Sequence, residues 1–265
     1  WVLWPAWQMA MRDLGYQLTV VSRTSAFETG QDRHRSYILA TPNGTPTPDV
    51  DFCPPAPCAR CGDIDAVQVW RDPARTTGKW GERYDYRCPH CRGLVAPYAP
   101  TAAELLDVDH PGRLIGSPSR LASKSTARAA RAFAAWGPHG QRTHPRFTPR
   151  PGTEQADALV VSYYSDDDEK GWPILAPVRT LTTTDRHALL TWPSPDATLA
   201  DCHYRMISIA EQRRLQGVPD HYRFAGNQKD HARMIGNGVP IPTVKAVASP
   251  AITSIGVDIP TGAAA

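Results

Sequence analysis

Four cysteines stand in two Cys-x-x-Cys pairs, Cys58-Ala-Arg-Cys61 and Cys88-Pro-His-Cys91, each followed within two residues by a glycine, Gly62 or Gly93. Four thiolates at this spacing can surround a zinc ion tetrahedrally, and two such pairs rarely arise by chance. A redox role needs only one pair, set at the start of a helix that lowers a thiol pKa, and neither pair has that setting. His90 is a possible substitute ligand, while Cys53 and Cys202 are left over. A closed shell of four sulfurs offers no open position to a substrate, so the metal is expected to staple the fold.

A second group is Gln31-Asp32-Arg33-His34-Arg35. Side chains alternate along an extended segment, so Arg33 and Arg35 are expected on one side, converging. A guanidinium is planar, permanently charged and able to serve two acceptors together, which suits it to an oxygen where negative charge develops. Taken alone, the same five residues also fit a solvated basic loop. Two further groups are Arg179-Thr180-Leu181, at the head of a threonine-rich run, and Gly236-Asn237-Gly238-Val239 near the C-terminal end. The two glycines let backbone approach a neighbour closely, as they would in an ordinary left-handed turn.

These groups need elements to carry them. Trp4, Trp7, Met11 and Leu14 make one apolar stripe on a helix that Pro5 can start and Gly15 can stop. Tyr16–Val21 and Ser36–Ala40 read as strands, short and apolar enough to be buried on both faces. Thr41 to Pro57 carries six prolines, a stiff connector and a domain boundary. Between the cysteine pairs, Asp65–Trp70 and Arg83–Arg87 alternate like the strands of a zinc ribbon. Leu121–Trp136 is a helix with Arg120, Lys124, Arg128 and Arg131 opposite Ala129, Phe133 and Trp136. Ser165–Lys170 is an acidic turn. Ser208 and Glu211 form a capping box for a helix that ends at Gly217, and Ile241–Ala248 reads as another.

The order of these pieces resembles the C-terminal part of the DNA cytosine-5 methyltransferase family. The resemblance rests on Gln31-x-Arg33-x-Arg35, on Thr180-Leu181, on the capped helix ending Arg-Leu-Gln-Gly217, and on Gly236-Asn237-small-Val239. It implies an α/β fold: the C-terminal portion of a Rossmann-like S-adenosylmethionine-dependent methyltransferase domain, residues 1–42 and 206–248. A mixed α+β target-recognition domain, residues 43–205, would carry a zinc ribbon at 53–97, with a flexible tail at 249–265. It also implies roles. Arg35, with Arg33 and Gln31, would serve catalysis by holding a flipped cytosine at its O2 edge; Thr180, Leu181 and Arg179 would contact DNA; Asn237, Gly236 and Val239 would touch S-adenosylmethionine. Cys58, Cys61, Cys88 and Cys91 would hold structural zinc.

In that family a cysteine thiolate attacks cytosine C6, methyl passes to C5, and the C5 proton leaves after the base has rotated out of the duplex. The family's glycine-rich loop, Pro-Cys nucleophile and Glu-Asn-Val segment do not occur here, and Pro57-Cys58 belongs to a cysteine pair. The expectation is a part that recognises double-stranded DNA and needs an N-terminal methyltransferase half, upstream or on another chain, being inactive by itself. The opening Trp1 fits a piece of a longer product. The rival expectation is a zinc-ribbon DNA-binding protein without chemistry, or a degenerate remnant. A net charge of +3 does not decide between them. With no signal peptide and no apolar run of about 20 residues, a cytoplasmic protein with no membrane partner is expected.

Overall fold

A computed structural model describes residues 2–110, 112–117, 121–140, 144–153, 156–163, 171–184 and 187–257. The architecture is mixed α/β. Helix α1 (Trp4–Asp13) has Pro5 in its first turn and ends before Gly15, whose φ is +88°. Strand β1 (Tyr16–Thr24) is followed by the two-residue β2 (Gln31–Asp32) and by β3 (His34–Pro42), which pairs antiparallel with β1 from end to end. Burial departs from expectation. β3 alternates between half-buried and exposed, with Ile38 42% exposed, because β1 is its only strand partner among the described residues. The apolar stripe of α1 also stays at the surface: none of its residues is buried, although the Trp4 and Trp7 rings stack at 5.3 Å.

After an extended stretch at 46–54, β4 (Pro55–Cys58) pairs with β5 (Gly62–Asp65), and β6 (Val67–Trp70) with β7 (Tyr84–Arg87), both antiparallel. These hairpins do not form a separate body. Trp80 meets Tyr86 and Phe147 edge-on at 5.1 and 5.2 Å, and Phe27, from the β1–β2 connection, lies 5.5 Å from Trp80. Tyr84 and Tyr86 are fully buried in the same cluster.

Next come β8 (Tyr98–Ala99), α2 (Ala102–Leu105), β9 (Arg113–Leu114), α3 (Ser123–Trp136), β10 (Thr148–Pro149) and β11 (Ala158–Ser162). They are followed by β12 (Gly171–Pro173), β13 (Val178–Arg179), β14 (His187–Thr191) and β15 (His203–Met206). An antiparallel five-stranded sheet runs β12-β11-β14-β15-β9. Its middle strands, Ala-Leu-Val-Val-Ser and His-Ala-Leu-Leu-Thr, are apolar because both faces are covered. Leu159, Val161 and Leu190 pack with Ala129, Ala132 and Trp136 of α3, while Val160 and Leu189 join the main core. Each such side chain contributes about 2 kcal/mol by leaving water. Within α3, Lys124 and Arg131 are exposed as expected; Arg120 and the acidic turn at 165–170 lie outside the described residues.

Three helices close the chain: α4 (Ile209–Leu215), α5 (Gln228–Asn237) and α6 (Ile241–Ser254). The expected capping box is present, Ser208 Oγ accepting from the Glu211 N–H at 3.2 Å, and Gly217 takes its left-handed φ of +64°. Helix α6 runs through Pro250 to Ser254, six residues beyond Ala248, so 249–254 are helix and not tail. Residues from 258 onward lie outside the described part.

Glu211 ties α4 to the sheet. Arg205 grips both of its oxygens, at 2.6 and 2.7 Å, and the Asp107 N–H donates to Oε1 at 2.9 Å. Burial by itself would raise the Glu211 pKa, but the Arg205 and Ser208 hydrogen bonds overcome it and hold the carboxyl at about 2. A folded pKa below the unfolded value gives stability that is present above about pH 4.5 and lost as pH falls toward 2. Glu211→Gln is therefore expected to cost about 3 kcal/mol in urea unfolding at pH 7. It should also flatten the acid limb of the stability profile between those pH values; an unchanged limb would remove Glu211 from the account.

Candidate functional site

Strand β13 pairs in parallel with β2, Val178 opposite Gln31 and Arg179 opposite Asp32. This brings two of the chemistry-bearing segments side by side, and buried hydrogen bonds lock them. The Leu181 N–H donates to Gln31 Oε1 at 3.0 Å, and Gln31 Nε2 donates to Gln216 Oε1 at 2.6 Å. Gln216 Nε2 in turn donates to the Ile235 carbonyl at 2.9 Å. Arg33 completes the knot: its two terminal nitrogens donate to the carbonyls of Leu181 and Gly236, both at 2.9 Å.

The expectation that Arg33 and Arg35 converge is thus corrected. The Arg33 N–H donates to the Gln31 carbonyl at 3.0 Å, a tight turn that interrupts strand alternation. Arg33 turns inward to 4% exposure beside the fully buried Gln31, whereas Arg35 is exposed, opposite Arg23 in the hairpin register. Leu181, expected at DNA, is likewise in the core at 3% exposure.

Arg35, Arg179 and Thr180 line one cavity of 380 Å³, with Asp32, His34 and Arg146. Thr180 Oγ1 donates to the Asp32 carbonyl at 2.9 Å. Asp32 organises the floor: it accepts from Thr24 Oγ1 at 2.7 Å and pairs with His34 Nε2 and Arg146 Nη2, both at 3.1 Å. Burial opposes its charge, but His34, Arg146 and Thr24 together bring the carboxyl to about 2. Lys79 and Trp80, from the turn before β7, form another side. The sequence offers Lys79 as one of a basic cluster, with Arg71, Arg75, Arg83, Arg87 and Arg92, that fits phosphate contacts around the cysteine module, but it does not point to Arg146 or Trp80. Arg146 sits in a proline- and arginine-bearing loop with no periodicity, so no spacing pointed to it; Asp32 and His34 lay inside the motif itself.

A second, apolar cleft of 490 Å³ lies at the end of α5, lined by Asn237, Val239, Met234, Tyr222 and Phe224. Gly236 does not line it. The Gly-Asn-Gly segment is also no left-handed turn: Gly236 and Asn237 belong to α5, and Gly238 has φ −66°. What holds is the close approach, for a Cβ on Gly236 would come within 2.2 Å of the Thr182 carbonyl carbon. Helix α5 itself escaped sequence reading. Its signal was Asn227, whose side chain caps the helix at the Lys229 and Asp230 amides, with Asp230 three residues on completing a capping box.

The four cysteine sulfurs of Cys58, Cys61, Cys88 and Cys91 lie within 4.8 Å of one another, Cys58 and Cys91 3.5 Å apart. Sulfurs about 2.3 Å from a tetrahedral zinc sit about 3.8 Å apart, so the set fits that ion. His90 and Cys53 are exposed and outside the cluster, and Cys202 is buried elsewhere, in the core beneath α3. The two knuckles match in backbone. Gly62 follows Cys61 at φ +78°, and Arg92 follows Cys91 at φ +62°, the one positive φ on a non-glycine among the described residues. Arg92, and not Gly93, therefore takes the left-handed position.

The C-5 cytosine-specific DNA methylase family matches residues 126–252. Over that range the chain is similar to the DNA cytosine-5 methyltransferase family. DNA (cytosine-5)-methyltransferase CMT2 of Oryza sativa subsp. japonica is 51% identical over 43 residues, 16% of this chain and 3% of that protein. DNA (cytosine-5)-methyltransferase 1 of Mus musculus is 50% identical over 44 residues, 17% of this chain and 3% of its own. The matched stretches are thus a small fraction of these relatives' length. A solved methyltransferase of Entamoeba histolytica aligns over 97% of this chain and 59% of its own, with a TM-score of 0.45 and 10% identity, too loose to carry an argument. The methyltransferase match takes in Thr180, Leu181 and the Gly236–Val239 segment; Arg35 and the four cysteines fall outside it.

Because α5 lies directly on the backbone of Thr182 at Gly236, Gly236→Ala is expected to destabilise the chain by about 3 kcal/mol. Gly238→Ala, two residues on, should cost about 1 kcal/mol or less, since its φ suits any residue and its nearest neighbour is the Gln216 amide at 3.2 Å. Equal losses in chemical denaturation would refute this contact as the reason for the glycine.

Proposed function

We propose that the chain is the target-recognising, C-terminal part of a DNA cytosine-5 methyltransferase. On this reading it binds double-stranded DNA and supports transfer of methyl from S-adenosylmethionine to C5 of a flipped cytosine, together with an N-terminal catalytic half. Residues 1–42 and 206–248 would complete a Rossmann-like domain, and 43–205 would read DNA. The observation that carries the reading is that Arg35 and Thr180, distant in sequence and each matched to a family motif, line one cavity.

Within that cavity Arg35 is an exposed cation available to a base carbonyl. Thr180 presents a hydroxyl beside it. The ionised Asp32 balances Arg146 and fixes His34, so the floor keeps its charge pattern while the rim stays basic with Lys79 and Arg179. Arg33 and Gln31 act as positioning residues. S-adenosylmethionine would supply the methyl group; Asn237 and Val239 would offer its methionyl end part of one wall at the apolar cleft. A single zinc in the four-cysteine cluster would hold the β4–β7 hairpins without entering the chemistry.

The test is reconstitution with a polypeptide that carries the family's glycine-rich loop, Pro-Cys and Glu-Asn-Val segments. Transfer of labelled methyl to DNA is expected from the mixture and from neither part alone. Arg35→Ala should lower that rate about a hundredfold or more by removing charge stabilisation, and change DNA affinity only about twofold or threefold. Equal loss of rate and affinity, or no methylation from a well-folded mixture, would favour a DNA-binding protein without chemistry.

A further inference from the structure

The turn that carries Lys79 and Trp80 reaches the cavity from the cysteine cluster by a short covalent route. β7 runs directly into Cys88, and the second knuckle folds back on it: the Cys88 N–H donates to the Gly93 carbonyl at 2.9 Å and the Val95 N–H to the Tyr86 carbonyl at 3.1 Å. At its other end the strand meets the turn, where the Gly81 N–H donates to the Tyr84 carbonyl at 2.8 Å and Trp80 bridges Tyr84. Trp80 then touches the cavity's charged groups. Its N–H faces His34 Nδ1 at 3.5 Å, and its carbonyl accepts from Arg146 Nη1 at 3.3 Å. Lys79, next to it, is exposed and held only by a loose pair with Glu82 at 3.7 Å, both about two-thirds open to water. Such a pair is easily given up for a phosphate.

The β6–β7 hairpin has four residues per strand, too little to hold its shape alone. Its register is fixed by the aromatic cluster on one side and by the knuckles beyond Arg87 on the other. We propose that a metal in the four-cysteine site holds one wall of the DNA-facing cavity in place, so that losing the metal weakens DNA binding by displacing Trp80 and Lys79 while the rest of the chain stays folded. This rests on the DNA-binding reading and on zinc as the ion. It adds a dependence neither contains: Lys79 is a phosphate contact, and its placement is set by the metal.

The experiment uses the full chain expressed with zinc, with metal content measured by atomic absorption and affinity for a duplex read by fluorescence anisotropy across a salt series. Removing zinc with a chelator under reducing conditions is expected to weaken binding about tenfold, as loss of a phosphate contact and of its supporting wall would. The far-ultraviolet circular dichroism and the cooperative melt of the remainder should persist. Cys61→Ser, which removes an exposed ligand, should reproduce the effect without chelator. Lys79→Ala, with zinc bound, should flatten the salt dependence by about 0.9 in log–log slope, and zinc removal should then cost it less than it costs the unaltered chain.

The outcomes separate. Bound zinc whose removal leaves affinity unchanged, or a Lys79→Ala variant that binds like the parent, overturns the inference while the zinc reading stands. Collapse of the whole melt on zinc loss also overturns it, making the metal a global staple. DNA binding without any bound zinc sinks the metal reading and this inference with it. A zinc-loaded, folded chain that binds no duplex sinks the proposed function itself.

Discussion

The buried guanidinium of Arg33 is the point on which the rest of the arrangement depends. Its two terminal nitrogens end on carbonyls 148 and 203 residues further along the chain, at Leu181 after β13 and in α5. A charge at 4% exposure is tolerated only when its donors are satisfied, so both acceptors must hold their positions for the fold to be favourable. Gln31 adds a second bridge through Gln216. The knot fixes where Thr180 can be, because Thr180 adjoins Leu181, and where Asn237 can be, because it adjoins Gly236.

The two cavities are therefore linked by one buried hydrogen-bonded connection. The charged one is organised by Asp32 and opens beside Arg35; the apolar one opens at the end of α5. Between them, α5 and the segment after β13 approach backbone to backbone at Gly236 and Thr182. On the proposed function, such a connection would help present a base and a methyl donor to each other, since small misplacements of reacting groups are costly.

Much of this was legible before any coordinates. The capping box at Ser208, the αL glycine at Gly217, the paired strands between the cysteines and the cysteine set itself follow from local rules, and local rules held. What failed was inference about direction and burial. Alternation placed Arg33 beside Arg35, but one tight turn at Gln31–Arg33 sends them to opposite environments. The strands of the opening hairpin look apolar enough for two covered faces, yet a sequence does not say how many partners an edge will find. Arg146 was invisible, and Lys79 was legible only as one of a basic cluster, because tertiary packing around Trp80 is what brings them to Arg35. At Gly236 the close backbone approach was legible, but that it occurs inside a helix and not in a left-handed turn is a distinction that the pentapeptide cannot express.

The same knot has a consequence for anyone building chimaeras. A recognition region is usually imagined as a cassette, excised at its proline-rich entry and at its exit near Met206. Here the cassette's Leu181 carbonyl and Thr182 backbone are shaped to Arg33 and Gly236, which lie on either side of the cut. Grafts would have to carry residues 31–33 and 236 along with the inserted module, so these separated positions form one exchangeable unit.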